Sequence, residues 1–406
     1  MILSIAWKNI WRNKLRSLVV ITGITLGIFA GVFSWAFYAG MVDQRIATAI
    51  NTETAHIQIH NKNFLEDPDI KNIISDYNLI DNKLQKYSAI SAYAPRIIVN
   101  AMIMSAETGA GIKIIGIIPE KEINVTDIHK KLIEGKYFES GKNNQILIGD
   151  KLAEKLNVKT GSKVVIAGQQ YDGTLTKAHF KVIGIYKTAN SVFNESNVFI
   201  RESDLRKVLA LDDATYHEIA IKLKSNDLLE LQLEKIRSEF NNLDIKSWKE
   251  LMPDVSLVEE SVNISMIVFM IIILIGLIFT IINTMLMAVF ERVKEIGMLM
   301  AIGMNHFKIV LMIMYETILL IMLGGIAGIV LACIVVKLTS YTGINLSAWG
   351  DVYASLGYET IVFPVFNLTI LVQTTIMILL AGLIASIYPA LKALQLKPAE
   401  ALRIDV

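Results

Sequence analysis

Three groups of side chains have the types and spacing to do chemistry. His56 and His60 stand four residues apart, as metal-binding histidines often do. Glu316 is the one charged residue in a long apolar stretch, a setting typical of ion or proton pathways. The segment 291–308, ERVKEIGMLMAIGMNHFK, alternates charges and then turns apolar, a pattern that favours docking to another protein.

The histidine pair is a poor candidate for a metal site. Both residues fall in a β-like run, 56–60, where positions four apart lie about 13 Å from each other. One ion cannot bridge that distance. We predict no metal site and interpret the run as the solvated face of a strand.

Common catalytic and redox signatures are absent from the sequence. It contains no G-x-x-x-x-G-K-[ST] loop to cradle a phosphate, no G-x-S-x-G elbow and no H-E-x-x-H helix. Cys333 is the only cysteine, so a disulfide framework or a thiolate cluster cannot form within one chain. We predict a protein without catalytic residues or a cofactor of its own. Its 39 basic and 38 acidic residues give no indication of nucleic-acid binding.

The elements that position these groups are membrane helices. Hydrophobic residues make up 53% of the chain, charged residues only 19%, and the mean hydropathy is +0.48. Four stretches are long and uncharged enough to cross a bilayer, and the first is too long for a cleaved signal peptide. The predicted spans are 18–42, 261–290, 309–336 and 367–391.

The basic residues predict the orientation of these spans. Lysine and arginine residues precede the first span, separate the second from the third and follow the fourth, which places these segments in the cytoplasm. Residues 1–17 then form an amphipathic helix along the inner membrane surface, 291–308 a cytoplasmic segment and 392–406 a cytoplasmic tail. Residues 43–260 and the short loop 337–366 lie outside. The residues concerned are Lys8, Arg12, Lys14, Arg16, Arg292, Lys294, Lys308, Lys392, Lys397 and Arg403.

The large segment 43–260 has the pattern of a folded α+β domain. Short β-rich runs alternate with polar helical stretches, and a subdomain at about 119–200 is inserted in a second one. The predicted strands are 56–60, 97–104, 112–118, 145–148, 163–166, 180–186, 197–200 and 218–223, and the predicted helices are 70–86, 150–156, 202–209 and 227–240.

Two features of the third span need interpretation: the role of Glu316 is undecided, and a group of glycines has a structural role. Glu316 lies within three turns of the cytoplasmic end, so it either pairs with a nearby base, faces the headgroups or serves transport. Gly324, Gly325 and Gly328 have the small-residue spacing that lets helix backbones approach closely, and we assign them to helix packing.

The segment 291–308 needs a surface to cover its apolar run 298–302. No cytoplasmic domain of this chain supplies one, so a separate protein is the candidate, with an interfacial hairpin as the alternative. The segment resembles the E-R-x-x-E-I-G-x-x-x-A-x-G hallmark of the MacB/FtsX-like permeases of ABC transporters. Similar stretches are NIWRNKLRS at 9–17 and the C-terminal pattern at 389–403. The matching residues are Glu291, Arg292, Glu295, Ile296, Gly297, Ala301 and Gly303, with Pro389, Ala390, Ala393, Pro398, Glu400, Ala401 and Leu402 near the C-terminus.

This resemblance implies the partners of the chain. It implies a permease of the bacterial cytoplasmic (inner) membrane that pairs with a second copy or a paralogue and binds separate ABC ATPase subunits, which hold ATP and Mg. Membrane lipid surrounds such a dimer, and force rather than a continuous pore moves the substrate. The coupling residues implied are Glu291, Arg292, Lys294, Glu295, Ile296, Gly297, Ala301 and Gly303.

Several functions remain open within and outside that family. A lipoprotein-releasing permease of the LolC/LolE type, with lipoproteins and a periplasmic acceptor as partners, ranks first because it combines four spans, a large external domain and no fused ATPase. We expect no ATPase domain before residue 9, which disfavours a macrolide exporter. Control of cell-wall hydrolases ranks third. A stand-alone membrane binding protein that works without an ATPase is the alternative of a different class.

Overall fold

The computed structural model describes residues 2–74, 76–366 and 368–394. The chain forms two compact units, which we call the helical unit (1–41, 260–344 and 362–406) and the sheet domain (42–259 and 345–361). The α-helices are α1 Ile2–Arg12, α2 Lys14–Thr48, α3 Tyr77–Leu84, α4 Pro119–Val125, α5 Asp150–Leu156, α6 Ser191–Ser196, α7 Glu202–Leu209, α8 Leu229–Glu239, α9 Trp248–Leu251, α10 Pro253–Glu291, α11 Val293–Ala301, α12 His306–Thr342, α13 Gly350–Ser355 and α14 Leu368–Leu394. The strands are β1 Ile57–His60, β2 Ile90–Met104, β3 Gly109–Ile117, β4 Leu132–Gly135, β5 Gln145–Gly149, β6 Lys163–Gln169, β7 Leu175–Tyr186, β8 Asn197–Arg201, β9 Glu218–Leu223, β10 Asp244–Ser247, β11 Ile344–Asn345 and β12 Ile361–Val362.

Four helices of the described residues are long and apolar enough to cross a membrane, which confirms the predicted membrane class. They are α2, α10, α12 and α14, and each of the first three extends beyond the uncharged stretch that predicts it. The predicted tail lies outside the described residues from position 395 onward, together with its motif residues Pro398, Glu400, Ala401 and Leu402.

The N-terminal segment forms its own helix, α1, which is separated from α2 by a bend at Asn13. The Ser17 hydroxyl donates a hydrogen bond of 2.6 Å to the carbonyl of Ile10 across this bend. Ala6 and Ile10 are buried in the helical unit, whereas Trp7 remains exposed. The predicted apolar stripe is therefore divided between helix packing and an exposed surface.

Two of the three glycines assigned to packing stand against the first span. A Cβ atom on Gly324 would lie 2.8 Å from Ile24, and one on Gly328 would lie 2.8 Å from the carbonyl oxygen of Thr25. The Thr25 hydroxyl also donates to the Gly324 carbonyl at 3.2 Å. A Cβ on Gly325 would meet only ordinary van der Waals contacts. Close approach of α2 and α12 thus depends on Gly324 and Gly328.

The sheet domain is built on one ten-stranded sheet. Its strand order is β10-β1-β9-β2-β3-β8-β5-β7-β4, with β6 paired to β2 and β7. The β3–β8 and β5–β7 pairs are parallel and the other pairs are antiparallel. The inserted segment 119–200 contributes β4 to β8 to this same sheet, because β3 pairs with β8 and β2 pairs with β6.

The predicted helix 70–86 is too long at its N-terminal side. Helix α3 begins only at Tyr77, because the Asp69 carboxylate accepts a hydrogen bond from the backbone of Lys71 and Ile74 forms a β-bridge with Tyr216. Local hydrogen bonds of this kind compete with the helix. Elements that the sequence pattern did not predict are α4, α6, α9, α13, β4, β10, β11 and β12.

The solvated strand face expected for His56 and His60 is wrong. Both side chains are buried, because β1 lies between β9 and β10 inside the sheet. The His60 Nε2 atom lies 3.4 Å from a carboxylate oxygen of Glu218. Burial, followed by the charge of Lys222, lowers the pKa of His56 to about 4.

Arg96 neutralises two buried carboxylates, those of Glu122 and Glu218, and Glu218 is the one beside His60. Its guanidinium contacts Glu122 and Glu218 at 2.6 Å each, and all three side chains are nearly fully buried. Burial alone would raise the pKa of Glu218, but the charge of Arg96 and the hydrogen bond with His60 together outweigh it and lower that pKa to about 2.

Candidate functional site

The segment between the second and third spans forms a short helix with a defined stop. Helix α11 ends at Ala301, and Gly303 follows with a φ of 93°. The Gly303 amide donates to the Met300 carbonyl and the Met304 amide donates to the Leu299 carbonyl, both at 3.0 Å. This pair of bonds is a Schellman motif, whose left-handed position favours glycine. The glycine of the sequence motif therefore ends the helix.

The arginine before α11 is held by a buried ion pair. Arg292 Nη1 lies 3.2 Å from both carboxylate oxygens of Glu316, and Nη2 donates to the Asn9 carbonyl at 3.0 Å. The two side chains are only 11% and 8% exposed. Removing one partner of such a pair typically costs about 3–5 kcal/mol, because the other charge stays buried and unpaired. The sequence leaves three interpretations of Glu316, and the structure shows the one in which Glu316 pairs with a nearby basic residue.

Two ion pairs join the N-terminal segment to α11 and to the end of α10, because Glu295 lies on α11 and Glu291 is the last residue of α10. Arg12 Nη1 donates to Glu295 at 2.9 Å, and Arg16 pairs with Glu291. The hydrogen bond from Arg12 holds the pKa of Glu295 below its usual range and raises the pKa of Arg12. Both side chains of the Arg12–Glu295 pair are about half exposed, so we expect it to contribute no more than about 1 kcal/mol.

A cavity of about 110 Å³ lies behind α11. Its polar wall consists of Asn9, Arg292, Glu295 and Glu316, and its remaining wall is apolar, with Ile296 prominent. A water molecule occupies about 30 Å³ of liquid, so the space admits a few waters beside the buried pair. In the described residues no group of three metal-ligating side chains occurs here or elsewhere.

The exposed face of α11 consists of residues other than those that form the ion pairs and the cavity wall. Lys294, Met298, Ala301 and Ile302 are exposed and follow the helical spacing i, i+4, i+7 and i+8. Val293, Ile296 and Gly297 form the buried face. Met298 and Ile302 are absent from the motif-based set of coupling residues, although their helical spacing within the apolar run identifies them. Ile302 has 82% of its surface exposed, which is unusual for an isoleucine.

The motif residues thus divide into two groups. Glu291, Arg292 and Glu295 make ion pairs within the helical unit, Ile296 and Gly297 are buried, and Gly303 ends the helix. Lys294 and Ala301 share the exposed stripe with Met298 and Ile302. The arrangement presents one apolar face with a single lysine.

Comparisons with known proteins agree with this architecture. A family model described as a MacB-like periplasmic core domain matches residues 17–239, and one described as an FtsX-like permease C-terminal domain matches residues 267–398. A lipoprotein-releasing system transmembrane protein, LolC, of Xylella fastidiosa is 25% identical over 316 residues, which cover 71% of this chain and 72% of that protein.

Two further similarities cover smaller parts of the chain. A macrolide export ATP-binding/permease protein, MacB, of Chlorobium luteolum is 34% identical over 125 residues, covering 31% of this chain and 16% of that protein. The crystal structure of the periplasmic region of MacB from Actinobacillus actinomycetemcomitans covers 51% of this chain and 94% of its own, with 16% identity and a TM-score of 0.35. Because the first family model matches more than half of the residues, the chain belongs to the MacB/FtsX-like family of ABC transporter permeases.

Proposed function

We propose that this chain is the permease subunit of an ABC transporter whose separate ATPase docks on the exposed face of α11. The observation that carries the proposal is the stripe of Lys294, Met298, Ala301 and Ile302 on a short helix between two spans. The basic residues around these spans place α11 in the cytoplasm, where an exposed apolar stripe is unfavourable unless a partner covers it.

The ion pairs would transmit a displacement of α11 to the neighbouring helices. An ATPase that closes on the stripe pushes α11, and the buried Arg292–Glu316 pair carries the displacement directly to α12. The pair between Glu295 and Arg12 connects α11 to α1, and the pair between Glu291 and Arg16 connects the end of α10 to α2. We assign the three acidic and basic motif residues Glu291, Arg292 and Glu295 a positioning role, and the stripe the contact itself.

For the substrate we propose lipoproteins that are released from the membrane. The support is the extent of the similarity: the lipoprotein-releasing relative aligns over 71% of the chain, whereas the macrolide-exporter relative aligns over 31%. The assembly proposed is a dimer with a second permease copy or a paralogue. ATP and Mg then belong to the ATPase, and the permease contributes no catalytic group.

The test is copurification of the tagged full chain with its ATPase from native membranes in a mild detergent. Ile302→Glu puts a charge in the centre of the stripe, and we expect it to lower ATPase recovery at least about tenfold, because a desolvated unpaired charge opposes docking. The matched control is Ile133→Glu, since Ile133 is an exposed isoleucine on strand β4. Lipoproteins that remain bound are identified by mass spectrometry.

A second variant separates positioning from contact. Glu295→Lys faces Arg12 with a like charge and leaves the stripe intact. We expect normal membrane insertion and ATPase binding with loss of stimulated ATP hydrolysis. Full hydrolysis in Glu295→Lys would remove the positioning role, and an ATPase that binds Ile302→Glu as well as wild type would remove the docking surface. Recovery of the chain without any ATPase would favour a stand-alone membrane protein.

A further inference from the structure

A groove of about 540 Å³ lies in the sheet domain, apart from the coupling helix. Its walls are mainly apolar, with Leu251, Val255 and Val258 from the start of α10 and Leu356 from the segment after α13. Leu356 is 60% exposed, and the neighbouring Val192 is exposed as well. A groove with exposed apolar rims on a folded domain marks a binding surface.

A buried arginine with an unused donor forms one end of the groove. Arg45 is 5% exposed, and its Nη1 donates to Glu53 at 2.9 Å. Its Nε–H has no acceptor among the residues that the structure describes. A Cβ on Gly357, which has a φ of 78°, would lie 2.8 Å from this Nε. Glycine at 357 therefore lets the backbone pack against the guanidinium, and an oxygen-bearing ligand would supply the missing acceptor.

The charged residues that line the groove favour a ligand that carries both a negative and a positive group. Glu53 already neutralises Arg45, and the exposed carboxylate of Asp254 adds one negative charge. Among the described lining residues Arg45 is the sole base. A ligand with both a phosphate and an ammonium group satisfies the two ends, whereas a purely anionic ligand would meet an uncompensated carboxylate.

Two residues of the groove lie only a few positions along a helix from a predicted span. Arg45 lies on α2 three residues beyond the predicted first span, a rise of about 4.5 Å along a helix. Val255 lies on α10 six residues before the predicted second span, a rise of about 9 Å. The headgroup layer on one side of a bilayer is about 5–8 Å thick, so both residues lie at or just above it.

From these observations we infer that the groove binds one phosphatidylethanolamine molecule of the outer leaflet. An acyl chain lies along Val255, Val258 and Leu356, the phosphate or ester oxygens accept from Arg45, and the ammonium pairs with Asp254. The site goes beyond the proposed ATPase coupling and depends only on the predicted orientation of the spans. It gives the sheet domain a direct contact with the lipid from which a substrate would be lifted.

The test uses the full chain in nanodiscs that contain phosphatidylethanolamine with a diazirine on one acyl chain. After photolysis, cross-linked peptides are mapped by mass spectrometry. We expect labelling of residues 251–258 and 355–358 in addition to the spans. Leu356→Glu is expected to reduce groove labelling at least about fivefold, because it places a charge in the acyl path, while labelling of the spans stays constant. The matched control is Leu231→Glu, on exposed helix α8.

A second arm tests the headgroup. We expect a phosphatidylglycerol probe with the same diazirine to label the groove less than phosphatidylethanolamine does, and Asp254→Asn to remove that preference. Unlabelled groove peptides in wild type, or equal groove labelling in Leu356→Glu, would overturn the acyl site. Equal labelling by the two lipids would overturn the headgroup assignment. Neither result depends on an ATPase, so failure here is distinguishable from failure of the coupling proposal.

Discussion

Neutralising Glu316 should destabilise the helical unit far more than neutralising Glu295. Glu316→Gln leaves the charge of the Arg292 guanidinium uncompensated in a site where the side chain is only 11% exposed, with the neutral Asn9 carbonyl and an amide oxygen as its acceptors. We expect a loss of about 3–5 kcal/mol in the free energy of unfolding. Glu295→Gln breaks a pair that is half exposed, so we expect a loss of no more than about 1 kcal/mol.

A double-mutant cycle separates the pair energy from other effects. Arg292→Gln alone should cost about as much as Glu316→Gln, because each leaves one charge buried. The double variant removes both charges and should lower the free energy of unfolding little more than either single variant does, which gives a coupling of about 3–4 kcal/mol. The control cycle with Arg12→Gln and Glu295→Gln should give a coupling below about 1 kcal/mol that declines further as salt is added.

The assay is reversible unfolding of the full chain in mixed detergent micelles of increasing denaturing-detergent content. Cys333 is the only cysteine and lies on α12, so its rate of reaction with a thiol reagent reports unfolding of the helical unit rather than of the sheet domain. A coupling between Arg292 and Glu316 below about 0.5 kcal/mol would refute the reasoning, because a pair this buried cannot be that weak unless water replaces the lost partner.

Three further predictions use the same preparation. Gly328→Ala should lower the free energy of unfolding by about 1–3 kcal/mol, because its Cβ would lie 2.8 Å from the Thr25 carbonyl oxygen. The control Gly23→Ala, with open space around it, should not destabilise the protein. Equal effects of the two substitutions would contradict the packing assignment. Gly303→Ala should cost about 1 kcal/mol and weaken ATPase binding, since position 303 has a positive φ; unchanged binding would show that the Schellman stop is dispensable. Because the pKa of His56 falls from 6.5 to about 4 on folding, the unfolded state binds more protons between these values, and stability present above pH 6.5 should fall by about 2 kcal/mol by pH 5. Because His56 lies in the sheet domain, this unfolding is followed by the circular dichroism of the β-sheet rather than through Cys333. His56→Gln should remove that part of the pH dependence, and an unaltered pH profile of stability would contradict it.

The sequence predicts the membrane part well because hydrocarbon imposes a simple rule on it. Every span must be long, apolar and helical, so runs without charge identify α2, α10, α12 and α14 directly. The strand β9 and the helices α5 and α7 are also predicted with their observed ends, since local turn residues bound them. The start of helix α3 and the small strands β4 and β10 escape prediction, because the partner of Ile74 in its β-bridge and the partners of both strands lie far away in the chain.

In the candidate site, too, the sequence predicts local features and does not predict contacts between distant segments. The motif spacing identifies the segment that carries α11 and implies a coupling role for Glu291, Arg292 and Glu295, but it does not predict the ion pairs that these residues form. Their ion pairs join positions about 24 to 283 residues apart, and no local pattern reports such distances. The exposed stripe, in contrast, follows from helical spacing once the helix is placed.

The sequence by itself determines which segments are apolar enough to cross a membrane, the family and the position of the segment that carries α11. Hydropathy, charge and short motifs suffice for this because they are local properties of the chain. What only the tertiary structure decides is which charges meet. Burial turns His56 and His60 from an expected surface pair into core residues, and Glu316 from an open question into the partner of Arg292. Burial and pairing are relations between distant segments, so their energies are set only when the chain has folded.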